Sequence, residues 1–123
     1  MPIFASLART TVRSRALAHA LTFPGAWEDH PWGESVVKVG KKIFVFLGSE
    51  EHHGVTVKLL ASHAEALSFP GAAPTGYGLG KAGWVTIPFG ENGPGTDLVG
   101  DWIDESYRRV ATKTLVKQLD ASA

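Results

Sequence analysis

Apolar and polar positions alternate most regularly in the middle of the chain. Val36-Val37-Lys38-Val39 and Lys42-Ile43-Phe44-Val45-Phe46-Leu47 flank Gly40-Lys41, a two-residue connection with glycine at its first central position, as a type II′ hairpin turn requires. The polar stretch from Gly48 to Gly54 then leads into Val55-Thr56-Val57-Lys58-Leu59-Leu60. There Val55, Val57 and Leu59 form one face and Thr56 and Lys58 the other, so this part of the sheet packs on one side and is wet on the other. Phe44 and Phe46 break the rule because they oppose Ile43, Val45 and Leu47. That strand is expected to be central, or covered on both faces.

Helical spacing frames this sheet. Leu7, Thr11, Ser14, Ala18 and Leu21, with Leu17 beside them, recur at intervals of four and three, and Arg9 and Arg13 fall on the opposite side; the pattern predicts a first helix ending at Phe23-Pro24-Gly25. Ser62 with Glu65 three residues later reads as a capping box for a short helix over 62–67. A turn-rich loop, Phe69 to Gly76, precedes a strand at Trp84-Val85-Thr86-Ile87-Pro88. Thr96 is placed to cap a last helix whose buried face is Val99, Ile103, Tyr107, Val110 and Thr114. Asp104/Arg108 and Glu105/Arg109 make i,i+4 pairs away from that face, acidic first and basic last, in keeping with the helix dipole. Helix, three strands, helix, one or two strands, helix gives an α+β fold of two layers, an antiparallel sheet with helices on one face, in a single domain over residues 1–123.

Composition narrows the chemistry. The chain has no cysteine, which removes thiol nucleophiles, disulfides and thiolate metal sites. Its 123 residues are enough to bury a core without staples. Twelve basic residues balance twelve acidic ones, whereas affinity for nucleic acid usually rests on a basic excess that releases counterions at phosphates. No apolar run reaches the roughly 18 residues of a membrane span. The first 27 residues lack acid and carry Arg9, Arg13 and Arg15 among Ser and Thr, as a transit peptide does. The continuous run into a helix stop favours a helix of the domain, and with it a cytoplasmic location.

Five segments in one order resemble the MmcQ/YjbR family. They are Phe23-Pro24-Gly25-Ala26-Trp27-Glu28-Asp29-His30-Pro31-Trp32-Gly33, the hairpin Val37 to Phe44, Val57-Lys58-Leu59, Tyr77 to Trp84, and Asp104-Glu105-Ser106-Tyr107-Arg108-Arg109-Val110. The resemblance implies a small bacterial cytoplasmic protein of order α-β(3)-α-β(2)-α, similar in shape to secretion chaperones and the frataxin-like CyaY proteins. It implies no agreed molecular function, with DNA binding the family-level proposal. This chain departs from the family at Gly78, Gly80 and Gly83, where relatives tend to carry His, Asn and His. Tyr77, Lys81 and Trp84 are left to do whatever that segment does.

The same three glycines spell G-x-G-x-x-G, but a phosphate cradle needs a strand before and a helix after. Here a loop precedes and a strand follows, so a nucleotide is not expected and no cofactor is assigned. There is no G-x-S-x-G elbow, no H-E-x-x-H and no P-loop, and no catalytic residue is assigned. His52 and His53 lie in a turn beside Glu50 and Glu51, and read as solvated because a metal needs three or four converging donors. Glu28, Asp29, His30 and Glu34, interleaved with Trp27 and Trp32, read either as edge-strand acids or as a carboxylate raised by a neighbouring indole.

Two binding surfaces remain. Lys38, Lys41, Lys42, Lys58 and Lys81 would make a weak, nonspecific contact with DNA, or serve solubility at a hairpin tip; Lys38 and Lys58 have the parity to share the wet face. Alternatively, a groove around Trp32, Tyr77, Lys81 and Trp84 would suit a small aromatic ligand or a protein, since glycine permits close approach. A non-enzymatic binding protein fits both.

Overall fold

The computed structural model describes residues 3–49, 53–90 and 92–122. Among these residues the order is α1 (Ile3–Ala20), β1 (Ala26–Asp29), β2 (Ser35–Val39), β3 (Lys42–Gly48), β4 (His53–Lys58), α2 (His63–Leu67), β5 (Ala73–Pro74), β6 (Trp84–Pro88), α3 (Thr96–Val110) and α4 (Lys113–Ala121). Short 3₁₀ turns occupy Pro31–Gly33 and Leu79–Ala82. Every strand pairing is antiparallel, in the order β1-β2-β3-β4-β6-β5. This is the expected α+β fold, with β5 and β6 as its two later strands, extended by β1 at a sheet edge and by α4.

The hairpin forms as its turn chemistry dictates. Gly40 takes φ 62 while Lys41 stays out of the left-handed region, and Val39 pairs with Lys42. Phe44 resolves the two-sided strand: Val37 faces Val45 while Lys38 faces Ile43, so Phe44 is an extra residue in β3, and Leu47 is a second between Phe46 and Gly48. A bulge of this kind bends a strand and re-aims side chains. Phe44 and Leu47 thereby join Val45 in the core, leaving Phe46 on the other face opposite Thr56.

Helices α1 and α3 cover the face carrying Val37, Val45, Val57 and Val85. Tyr107 of α3 packs its ring 4.9 Å from Phe23 and 5.2 Å from Phe44, and its hydroxyl donates to the Pro24 carbonyl at 2.7 Å. Trp102 is fully buried and its ring meets Phe69 edge-on at 5.5 Å. Ser106 donates to the carbonyl of the bulge residue Phe44 and accepts from Lys58 N at 2.9 Å.

Five local expectations are corrected. On α1 the buried residues are Ala16 and Ala20, with Val12 and Leu17 half-buried, whereas Thr11, Ser14, Ala18 and Leu21 are exposed. Gly100 of α3 faces the His19 ring of α1, where an added Cβ would sit at van der Waals distance, 3.5 Å. Arg13 is not on a free side: it donates to the Leu47 and Gly48 carbonyls at 3.1 and 3.2 Å. The side chains of Leu7 and Arg9 lie outside those described.

Ser62 does not close a capping box with Glu65. Its hydroxyl donates to Glu105 at 2.8 Å, and Glu105 also accepts from Leu60 N at 2.7 Å and Ser62 N at 3.2 Å. Glu65 instead accepts from the Trp102 indole at 3.3 Å. Gly95, not Thr96, is the cap of α3, and that helix stops at Val110. Thr112 caps α4 by accepting from Leu115 N, so Thr114 belongs to α4 and is exposed. Arg108 clasps the two helices through Asp104 at 2.6 Å and Asp120 at 2.8 Å.

Candidate functional site

The sheet face away from the helices is not flat. Phe46, Thr56 and Thr86 lie side by side across β3, β4 and β6, and the loops on either side stand above them. Together they enclose an open groove of about 830 Å³, whose lining includes Trp32, Ile43, Phe46, His53, Tyr77 and Leu79. That volume falls in the range of small-molecule pockets, about 300–1,000 Å³, and the mostly apolar lining with a few polar groups is what such pockets show.

The two rims are built alike. Trp32 has φ 55 and Tyr77 φ 60, each followed by a left-handed glycine, Gly33 at φ 76 and Gly78 at φ 78. Among the described residues these aromatics are the only non-glycine positions with positive φ. Holding an L side chain there costs about 1–2 kcal/mol. Neither ring recovers that cost by burial, since Trp32 is 87% exposed and Tyr77 fully so. Strain kept at an exposed pair of rings is the kind that collects at ligand sites.

The floor carries a row of hydroxyls. Thr86 Oγ1 lies 2.9 Å from Thr56 Oγ1 and 2.9 Å from Thr75 Oγ1. Thr75 is held in place because its N–H donates to the Trp84 carbonyl at 3.0 Å. At one end, His53 has a buried Nδ1 without a hydrogen-bond partner among the described residues. No sequence pattern marks this row, because Thr56, Thr75 and Thr86 meet only through sheet register.

A family model described as YjbR matches residues 21–109. The chain belongs to the YjbR family. The matched segment runs from the end of α1 into α3 and holds the whole sheet, both rims of the groove and its floor. No curated protein sequence matches the chain.

In this YjbR-family chain the other residues singled out from sequence separate into distinct places. Trp84 is not at the rim. It is 9% exposed, with the Phe46 ring edge-on at 5.5 Å, because β6 is an inner strand paired on both sides. It lines instead a smaller hollow of about 370 Å³ with Lys41, Lys42, Ile43, Lys58, Arg109 and Val110. Ile43 borders both hollows. Among the described residues none of these four cations has a carboxylate within ion-pair distance.

Lys38 shares the open face but is neutralised by Asp29 at 2.7 Å and lies 5.2 Å from the Trp27 ring. Lys81 is exposed on the 3₁₀ turn and lines neither hollow. Of the acids near Trp27 and Trp32, Asp29 is not raised by an indole but lowered by a cation. The Lys38 ammonium and the His30 N–H hold the Asp29 carboxyl below its ordinary value. Glu28 accepts from Ser35 at 2.7 Å and lies 3.0 Å from His30 Nε2. Glu50, Glu51 and His52 lie outside the described residues. Among those described, no three His, Asp or Glu side chains converge as a metal site would require, and no helix is long and apolar enough to cross a membrane.

The glycine loop is a shape, not a cradle. Gly78 and Gly83 bound the 3₁₀ turn with φ 78 and 98. A Cβ at Gly83 would lie 2.7 Å from the Leu59 carbonyl oxygen, and one at Gly80 2.9 Å from Pro74 Cβ. The loop's contribution to the groove comes from Tyr77 and Leu79, which the glycines set in place.

Proposed function

We propose that this YjbR-family protein is a non-enzymatic binding protein that takes a small, flat, mostly apolar ligand between Trp32 and Tyr77. The observation that carries the reading is the pair of left-handed, solvent-exposed aromatics on opposite rims of one apolar groove. Aromatic anchors of this type supply most of the energy in many binding sites. Titration with naphthalene-sized aromatics is expected to quench tryptophan fluorescence. Trp32→Ala is expected to weaken binding at least tenfold by calorimetry. Trp84→Ala is not the test, because that ring is buried. An unchanged spectrum across a broad aromatic set sinks the reading.

A second reading, contact with DNA, is favoured by one observation: Lys41, Lys42 and Lys58 of the sheet and Arg109 of α3 gather at one hollow in a chain of zero formal net charge. Four cations of this kind give a salt-sensitive, sequence-independent contact. In this reading Lys41→Glu with Lys42→Glu abolishes a low-salt gel shift. Absence of any shift with the unaltered protein at low salt removes the DNA reading and leaves the groove untouched.

A further inference from the structure

Three hydroxyls lie in line on the groove floor, Thr75, Thr86 and Thr56, with Thr86 in the middle. Each hydroxyl has one hydrogen to donate and two lone pairs to accept with. Two contacts use two hydrogens, so whichever way the chain is polarised one hydroxyl hydrogen is left over. Among the described residues these hydroxyls have no other partner. All three threonines line the groove. A donor and spare lone pairs are therefore presented in the middle of an otherwise apolar floor, between two aromatic rims.

Charge narrows the ligand further. Among the described residues Glu34 is the only acidic or basic side chain in the groove lining besides His53, and no lysine or arginine contributes to it. An anionic group placed there would lose water and meet no cation, which is costly. We infer that the groove selects a neutral planar heteroaromatic molecule whose ring edge carries a hydrogen-bond acceptor, seated on the threonine row with its faces toward Trp32 and Tyr77. This rests on the groove reading above and adds to it the ligand's polarity and charge.

Three probes with the same fused-ring outline separate the outcomes: quinoline, whose ring nitrogen accepts a hydrogen bond, naphthalene, which has no polar atom, and 2-naphthalenesulfonate, which adds an anionic substituent. Dissociation constants come from fluorescence titration, with amide shifts at Thr56, Thr75 and Thr86 as a second readout. Quinoline is expected to bind about three- to tenfold more tightly than naphthalene, the worth of one hydrogen bond, and the sulfonate more weakly than either.

The triple variant Thr56→Val, Thr75→Val, Thr86→Val removes the row while keeping its shape. Replacing all partners of a polar group by apolar isosteres is close to neutral for folding. It is expected to abolish the quinoline preference and leave naphthalene binding in place. Equal affinity of quinoline and naphthalene for the unaltered protein overturns the inference and spares the groove reading. Sulfonate binding as tight as quinoline overturns it too. Binding of none of the probes removes the groove reading itself. Should the triple variant not fold, larger threonine amide shifts with quinoline than with naphthalene support the inference, and equal shifts overturn it.

Discussion

Replacing Gly83 by Ala should lower the free energy of unfolding by about 2–4 kcal/mol. Two costs combine. At φ +98 the backbone lies where an L side chain is strained by about 1–2 kcal/mol. The new Cβ would also lie 2.7 Å from the Leu59 carbonyl oxygen, which is backbone and cannot swing aside. Leu59 N donates to the Gly83 carbonyl at 2.9 Å, so the two segments are tied together where they would need to part. Gly78→Ala is the matched control: its φ is +78 but nothing lies within 4 Å of the added Cβ, and it should cost only the backbone strain. Urea midpoints for the two variants decide the matter; equal losses would show that the Leu59 contact is not the cause. The polar side chains that the family resemblance places at positions 80 and 83 therefore cannot simply be restored to this chain.

Glu105→Ala should cost about 2 kcal/mol at neutral pH, because one carboxylate accepts from Leu60 N, Ser62 N and Ser62 Oγ. Bonds to a charged acceptor are worth about 1.5–3 kcal/mol each, and the half-exposed setting, in which water can replace some of them, reduces the sum. Burial pushes this carboxyl up, but the hydrogen bonds from Leu60 and Ser62, with the charge of Arg109, outweigh it and leave the group below its ordinary value. A depressed carboxylate in the folded state contributes stability that is full above the unfolded value and is lost as pH falls through the folded one. The stability gap between the unaltered protein and Glu105→Gln should therefore be constant near neutrality and shrink below the ordinary glutamate range. A gap independent of pH across that range would show that the charge of Glu105 is not what holds the 60–62 segment.

Where local chemistry decides the structure, the sequence was enough. The hairpin at Gly40-Lys41 and the strand Trp84–Pro88 form as read, because turn geometry and alternation are properties of neighbours. Misreadings arose where the deciding contact is distant or small. Leucines drew the buried face of α1 to the wrong side, since Ala16 and Ala20 bury little area but permit the close approach to α3. The break between α3 and α4 carries no glycine or proline, so the amphipathic pattern ran through Ala111 and Thr112. Glu105 looked like half of a surface pair and is a cap for a segment more than forty residues away.

The groove was half legible. Trp32 is singled out by its glycine neighbour and Tyr77 by the family resemblance, and the glycine after each turns out to share its left-handed turn. Trp84, next to Gly83, is grouped with Trp32 on that ground, but it lies on an inner strand with its ring edge-on to Phe46 and is buried there. Phe46 and the threonine row depend on register across three strands and on the two extra residues of β3, which no periodicity announces.

Those two extra residues link the buried side of the sheet to the exposed one. Phe44 and Leu47 are core side chains, yet the irregular pairing they bring to β3 lies in the same strand whose Phe46 and Ile43 line the groove on the opposite surface. In evolutionary terms the cleft is adjustable from behind: a single-codon deletion of Phe44 would restore one-to-one pairing with β2 and alter the bend of β3 while leaving every residue that lines the cleft in the sequence. Selection on the ligand and selection on the core are therefore joined in one strand.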